Sequence, residues 1–258
     1  MITQHKNISI HYNHIGTGEA VVLLHGFLEN LTMWDNLANT LKNKYHVITI
    51  DLLGHGKTDC LGYIHTMEDM ADAVNTVLNE LNIQNAHFIG HSMGGYVTLA
   101  LLEKFPKKAL SVCLLNSTSE ADSKDKQANR DRAIKAVKQN HKAFISMAIS
   151  NLFAISNRER LSSEIENVKQ EALKTPLQGI VAALEGMKIR PNRTSFFKTS
   201  KCKKMIIIGL KDTVLNAEKI KTLFKPTDIS LHEFPDGHMS HIENSKELSY
   251  VIMCFIEK

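Results

Sequence analysis

Cysteine is scarce in this chain and poorly spaced for chemistry. The four present, Cys60, Cys113, Cys202 and Cys254, form no CxxC pair and lie far apart. That spacing argues against a zinc cluster and a disulfide scaffold and suits a reducing compartment, so a cytoplasmic location is expected. Long hydrophobic runs are missing too. No stretch approaches the ~18 apolar residues of a membrane span, and Met1 to Ile10 lacks the basic start and apolar run of a secretory leader. Charge of one sign is nearly balanced by the other: 31 Lys and Arg face 27 Asp and Glu. A surplus that small implies no nucleic-acid partner unless it is gathered on one face. Internal repeats and low-complexity tracts are absent as well. What is left is a globular chain of 258 residues, 43% of them hydrophobic, able to bury a large core.

Short Val- and Ile-rich runs recur at Val21–Leu24, Val47–Ile50, Phe88–Ile89, Val112–Leu115 and Met205–Ile208, and they read as buried parallel strands. Between them lie segments with helical spacing, Met67 to Leu81 and Tyr96 to Phe105. The alternation of strand and helix defines an α/β class with a mostly parallel sheet. It stops after Leu115. From Ser117 to Ser200 the chain shows only helical patterns, around Asp125–Gln139, Lys142–Phe153, Glu159–Leu173 and Leu177–Met187, punctuated by Pro176 and Pro191. Strand signals resume at Met205, Ile229–Phe234 is the last, and a helix closes the chain from about Ser245. The expected organisation is a core of residues 1–116 and 201–258 with residues 117–200 as an all-helical cap over the sheet.

The chemistry concentrates at turns. Directly after Phe88–Ile89 comes Gly90-His91-Ser92-Met93-Gly94, and a helix follows. This is G-x-S-x-G in a strand–turn–helix setting, where a strained turn exposes a serine at a helix N-terminus. Ser92 is therefore the candidate nucleophile. A hydroxyl needs a base to take its proton and a carboxylate to orient that base. Asp212 stands just past the Met205–Ile208 strand and His238 in the loop after the last strand, so the order Ser92, Asp212, His238 is the one the motif requires. Asp236 is the rival acid, but a carboxylate two residues from the histidine more often caps its own turn. Asn116, at the end of another strand, cannot be the carboxylate. His25 and His55 read as structural hydrogen-bonding histidines. His241 could pair with His238 on one helical face as metal ligands, yet no third ligand accompanies them and no metal is expected.

These segments together resemble an α/β-hydrolase, of the small bacterial carboxylesterase type that includes enol-lactonase-like members. The likeness rests on the elbow, on His25-Gly26-Phe27-Leu28, on the stretch from Asp51 to Thr58, on Gly237 to Glu243, and on Gly186 to Pro191 at the cap exit. The resemblance implies that the backbone N–H groups of Phe27 and Met93 form the oxyanion hole. It further implies a cofactor-independent serine hydrolase acting on a small-molecule ester. Relatives that form an alkyl-enzyme ester carry aspartate where this chain has Ser92. Two alternatives stay open: a lyase or C–C bond hydrolase using the same triad on a carbon acid, and a ligand-sensing protein with slow turnover. His25 to Leu28 is similar to menaquinone-pathway members, but Tyr96 stands where those carry arginine.

All six arginines lie in the expected cap: Arg130, Arg132, Arg158, Arg160, Arg190 and Arg193. Residues 117–200 hold 15 Lys and Arg against 9 Asp and Glu, so the basic surplus belongs to that segment. Solvated helix faces are one explanation. Attraction of an anionic substrate is the other, with Arg190, fixed by Pro191 where the cap returns to the sheet, as the substrate-binding candidate. The apolar residues Phe144, Met147, Leu152 and Phe153 read mostly as cap packing, with part of them facing the substrate.

Overall fold

The Val- and Ile-rich runs become the inner strands of one eight-stranded sheet in the computed structural model, which describes residues 1–257. The strands are β1 (Ile2–His5), β2 (Ile8–Ile15), β3 (Glu19–Leu24), β4 (Tyr45–Ile50), β5 (Ala86–His91), β6 (Ala109–Leu115), β7 (Lys203–Gly209) and β8 (Ser230–Phe234). Their order across the sheet is β1-β2-β4-β3-β5-β6-β7-β8. From β4 to β8 all pairings are parallel, while β1 and β2 pair antiparallel at one edge. Those two edge strands have no counterpart in the sequence reading. β2 buries Ile10 and Tyr12 while its other residues stay more open, an alternation typical of an antiparallel edge and unlike the continuous apolar runs of a doubly covered strand.

Side chains of the inner strands divide between two cores because successive residues point to opposite faces. Val22 and Leu24 of β3 and Ile206 and Ile208 of β7 pack on one side, with α2 (Met67–Glu80) and α3 (Met93–Lys104). Val21, Leu23, Met205 and Ile207 pack on the other, with Trp34, with α1 (Asp35–Leu41) and with the closing helix. The order of strand addition reverses at β3: β4 lies on one side of it and β5 on the other. A crevice opens beyond the carboxyl ends of strands that part in this way, so the loops after β3 and β5 flank a natural ligand position.

Between β6 and β7 run α4 (Lys124–Gln139), α5 (His141–Leu152), α6 (Ser162–Ala172), α7 (Leu177–Ile189) and α8 (Thr194–Thr199), with no strand among the described residues. Ser123 caps α4 by accepting from Lys126 N–H, and Asn140 caps α5 by accepting from Ala143 N–H. α6 begins at Ser162, three residues later than its apolar spacing predicts, and α8 follows Pro191 where no helix is expected. The remaining helices are α9 (Ala217–Phe224), α10 (Ser240–Glu243) and α11 (Ser245–Glu257). No helix among the described residues is long and apolar enough to cross a membrane.

The insertion meets the core most closely at α7. His65 N–H donates to the Ala182 carbonyl at 3.0 Å, which brings a core loop against the helix backbone. Gly186, one turn on, leaves room for it, since a Cβ there would overlap the His65 carbonyl oxygen. Both parties are backbone and neither rotates away. Gly186→Ala is expected to cost about 2–3 kcal/mol through overpacking. Thermal unfolding should then show a fall of about 5–10 °C, and an unchanged midpoint would contradict the close approach.

Candidate active site

β5 ends at His91, and the next residue turns the chain through a conformation that L-residues rarely hold: Ser92 has φ +49° and ψ −112° before α3 starts at Met93. The turn is held by Ser92 N–H, which donates to the Leu115 carbonyl of β6 at 3.0 Å. It is permitted by Gly90 and Gly94. A Cβ on Gly94 would overlap the Leu24 carbonyl at the end of β3, and one on Gly90 would strike the Gly94 backbone. The two glycines of the motif thus seat the helix on the sheet and aim Ser92 outward.

Two loops bring the other groups to it. His238 Nε2 lies 2.9 Å from Ser92 Oγ, and His238 Nδ1 lies 2.6 Å from Asp212 Oδ2. Asp212 follows β7. Its Oδ1 accepts from the N–H groups of Val214 and Leu215 at 2.7 and 3.0 Å. Burial opposes a charge on Asp212, but the adjacent His238 and those two N–H donors outweigh it and hold the carboxyl below its ordinary value. Asp236 is turned away, accepting from Asn244 Nδ2 at 2.9 Å. Asn116, excluded as an acid, stands at the end of β6 with its Nδ2 3.4 Å from Asp212 Oδ2 and 3.3 Å from the Gly237 carbonyl, so it steadies both loops.

Above Ser92 lies a cavity of about 460 Å³, walled by Phe27, Tyr96, Ile149, Leu152, Met187 and Val214, with His238 in its lining. Arg130, Asn151 and Thr213 add polar edges. A larger cleft of about 520 Å³ runs alongside and touches Asp212 and Arg190, but Ser92 is not in its wall. Phe27 sits in the loop after β3, and Met93 opens α3, where the first N–H groups of a helix have no partner within it. Leu28, at φ +64°, gives that loop its tight bend. Of the four apolar residues noted in the insertion, only Leu152 reaches this cavity. Phe153 is fully buried in the core and Met147 is 61% exposed.

Arg190 does not stand at the mouth of the Ser92 cavity, which corrects its reading as a substrate-binding residue. Its side chain is buried, its Nη1 lies 2.8 Å from Asp122 Oδ1 and donates to the Met187 carbonyl at 2.8 Å, and its guanidinium stacks 3.9 Å over the Tyr96 ring. Arg130 Nε donates to the other oxygen of Asp122 at 3.0 Å. The physical reason is Asp122, a fully buried carboxylate that engages the Nη1 of Arg190 and the Nε of Arg130. Nothing in the linear sequence links Asp122 to them.

His25 and His55 take the structural roles expected of them. His25 Nε2 accepts from Leu52 N–H at 2.9 Å, and His55 Nδ1 bonds the Leu53 carbonyl at 3.0 Å. Burial pushes His55 down to about 3. Two further groups escaped the sequence reading. Glu243 is buried, accepting from Gly237 N–H at 3.0 Å on one oxygen and from Ala154 N–H and Asn157 Nδ2 at 2.9 Å on the other. His91, next to Ser92, has Nδ1 2.7 Å from Glu29 Oε2 and Nε2 3.0 Å from the His238 carbonyl. The pairing of His91 with Glu29 spans 62 residues of chain, and no local spacing announces it.

A family model described as alpha/beta hydrolase fold matches residues 19–245. The chain belongs to the α/β-hydrolase fold family. As a member of that family it is an enzyme of hydrolase type. Among curated relatives, it is 26% identical over 268 residues to 3-oxoadipate enol-lactonase 1 of Acinetobacter baylyi, covering 100% of this chain and 96% of that one. It is 29% identical to an (E)-2-((N-methylformamido)methylene)succinate hydrolase of the same organism over 175 residues, 66% of each chain. Among solved structures, the malate-bound thermophilic esterase of Thermogutta terrifontis superposes with a TM-score of 0.92 at 28% identity, covering 99% of this chain and 96% of that chain.

The Glu29–His91 pair makes stability depend on pH in a definite way. Burial works against Glu29, but His91 holds its carboxyl down to about 2, so its stabilising contribution is present above the ordinary 4.5 and is lost as pH falls. Burial works against His91 as well, but Glu29 raises it above 6.5, so its contribution is present below that value and is lost as pH rises through the raised one. Glu29→Gln should therefore lower the melting temperature most between about pH 5 and 6.5, with the gap to wild type closing below about pH 4. Melting followed by circular dichroism across pH 3–7 checks this, and a constant gap would exclude the pair as its source.

Proposed function

We propose that the enzyme is a serine carboxylesterase working through an acyl-enzyme, with Ser92 as nucleophile, His238 as base and then acid, and Asp212 as the group that orients the imidazole. The observation that carries this reading is the unbroken line Asp212 Oδ2–His238 Nδ1 at 2.6 Å and His238 Nε2–Ser92 Oγ at 2.9 Å, ending beneath an apolar cavity. Ser92 Oγ attacks the ester carbonyl while its proton passes to His238 Nε2. Carbonyl charge collects on an oxygen facing the N–H groups of Phe27 and Met93, our oxyanion-hole assignment. The imidazolium returns the proton to the leaving alcohol. Water, deprotonated by the same nitrogen, then releases the acid and restores Ser92.

The helical insertion serves in this reading as a cap that gives the acyl pocket its shape. A void of about 460 Å³ suits a small ester, and its walls are mainly apolar. Arg190 is taken up by Asp122, and Arg130, the one arginine in the cavity lining, has its charge offset by the same carboxylate, so we read the pocket as favouring a neutral acyl group over a carboxylate. A lactone such as the one in the name of the Acinetobacter baylyi relative is an ester closed on itself and falls within the same chemistry. The free thiols of all four cysteines suit a reducing cytoplasm.

Ser92→Ala should abolish turnover of activated esters while leaving the melting temperature unchanged or slightly raised, since the change removes one hydroxyl and no core packing. Wild-type turnover in that variant would end the proposal. Asp212→Asn should lower kcat by up to ~10⁴, whereas Asp236→Asn should stay near wild type. The reverse ranking, measured on one substrate, would move the acid. A neutral ester should match or exceed its carboxylate-bearing isostere in kcat/KM at low salt, and a preference for the anion would show that Arg130 or Arg190 is free to bind it.

A further inference from the structure

Behind the wall of the Ser92 cavity lies a second recess of about 350 Å³, between α6 and the loop after β3. Glu29, Glu164, Glu171 and His241 line it, and no lysine or arginine does, although the chain carries more basic than acidic residues. It is an acidic pocket on a mildly basic protein. Glu29 belongs to both spaces, facing Ser92's cavity on one side and the recess on the other.

Between the two spaces Glu29, His91 and His241 converge, His241 lining the recess and His91 the Ser92 cavity, with one ligand atom from each lying within 4.8 Å of the others. Glu29 Oε1 and His241 Nδ1 are both buried without a hydrogen-bond partner. The side chains of Glu29 and His241 are only 3% and 6% exposed. Leaving such atoms unmatched is costly. His241 Nε2 stands 3.8 Å from Glu29 Oε1, too far for a hydrogen bond. Two ligand atoms on one tetrahedral zinc ion are about 3.4 Å apart, so a small shift would let both bind a common ion.

His91 completes the set. Its Nδ1 lies in hydrogen-bond contact with Glu29 Oε2 at 2.7 Å, and a cation bound by both atoms would replace the proton between them after the pair opens to the spacing of two metal ligands. Its Nε2 is bonded to the His238 carbonyl at 3.0 Å, the kind of outer hydrogen bond that fixes a ligating imidazole. Two imidazoles and one carboxylate suit zinc or cobalt better than calcium or magnesium, and the recess leaves a fourth position open to water.

We propose that Glu29, His91 and His241 bind one divalent transition-metal ion of the zinc or cobalt class, admitted through the acidic recess, and that the bound ion slows turnover at Ser92. The slowing follows from geometry: the ion draws Glu29 and His91 toward itself, and His91 Nε2 is bonded to the His238 carbonyl. This turnover effect rests on the esterase reading, while the binding does not.

The test begins with chelator-treated wild-type protein titrated with Zn²⁺ by calorimetry and with Co²⁺ by visible absorption. One equivalent of zinc should bind, and cobalt should give the intense bands of a tetrahedral site. Ser92→Ala should bind equally well. His241→Gln should lose at least ~100-fold in affinity, keep its metal-free turnover, and no longer be slowed by zinc. His14 and His46 form another close histidine pair, at 3.0 Å, so His46→Gln should bind like wild type. Absence of zinc binding by the wild type overturns the proposal without recourse to any variant. Unchanged affinity in His241→Gln, or a loss in His46→Gln or Ser92→Ala, overturns it by locating the ion elsewhere. If zinc binds as described but neither form turns over esters, the binding stands and the esterase reading fails.

Discussion

The whole arrangement depends on how closely α3 sits on the sheet. The Leu24 carbonyl occupies the space a Cβ on Gly94 would need, so the helix can lie against β3 only because that residue is glycine. This contact sets the direction of the helix axis. It forces the chain through φ +49° at Ser92, and it brings the start of α3 beside the loop after β3. The exposed serine and the free N–H groups beside it are consequences of one packing distance. The strain is held in place by hydrogen bonds from neighbouring strands, such as the one from Ser92 N–H to Leu115.

Around that point the molecule buries carboxylates, each with its own donors. Asp212 has His238 and two backbone N–H groups, Asp122 has two arginines, Glu29 has His91 and the Gly26 N–H, and Glu243 has four donors. Replacing a buried ion pair by apolar groups often costs nothing, but removing one partner leaves an exposed penalty of several kcal/mol. Such pairs therefore serve mainly to specify one arrangement of loops. Here they determine where β7's loop, the histidine loop and the insertion meet, which the apolar core beneath them does not decide.

This division explains what was legible in the sequence. Val21–Leu24 and Met205–Ile208 announce buried strands through composition alone, and Gly90 to Gly94 announces the elbow because the turn has a local steric requirement. Asp212 and His238 were found by their order along the chain. Asp122, Glu29 and Glu243 were not, since each engages a partner eight or more residues away and a single carboxylate has no period or spacing to betray it. Arg190 was misplaced for the same reason: its position at the end of α7 was readable, its counter-ion was not. The edge strands β1 and β2 were passed over because a half-exposed strand alternates and resembles a polar leader as much as a strand.

The tie between the histidine loop and the insertion bears on how such proteins can diversify. His238 N–H donates to the Leu152 carbonyl at 2.8 Å, and Glu243 joins Gly237 to Ala154 and Asn157. Relatives are often imagined to exchange helical insertions freely while the sheet keeps its chemistry. In this molecule the segment from Leu152 to Asn157 is part of the seat of the imidazole. A graft taken from another member would have to bring an acceptor and two donors to the same places, and without them the transplanted pocket would sit over a histidine no longer aligned with its serine.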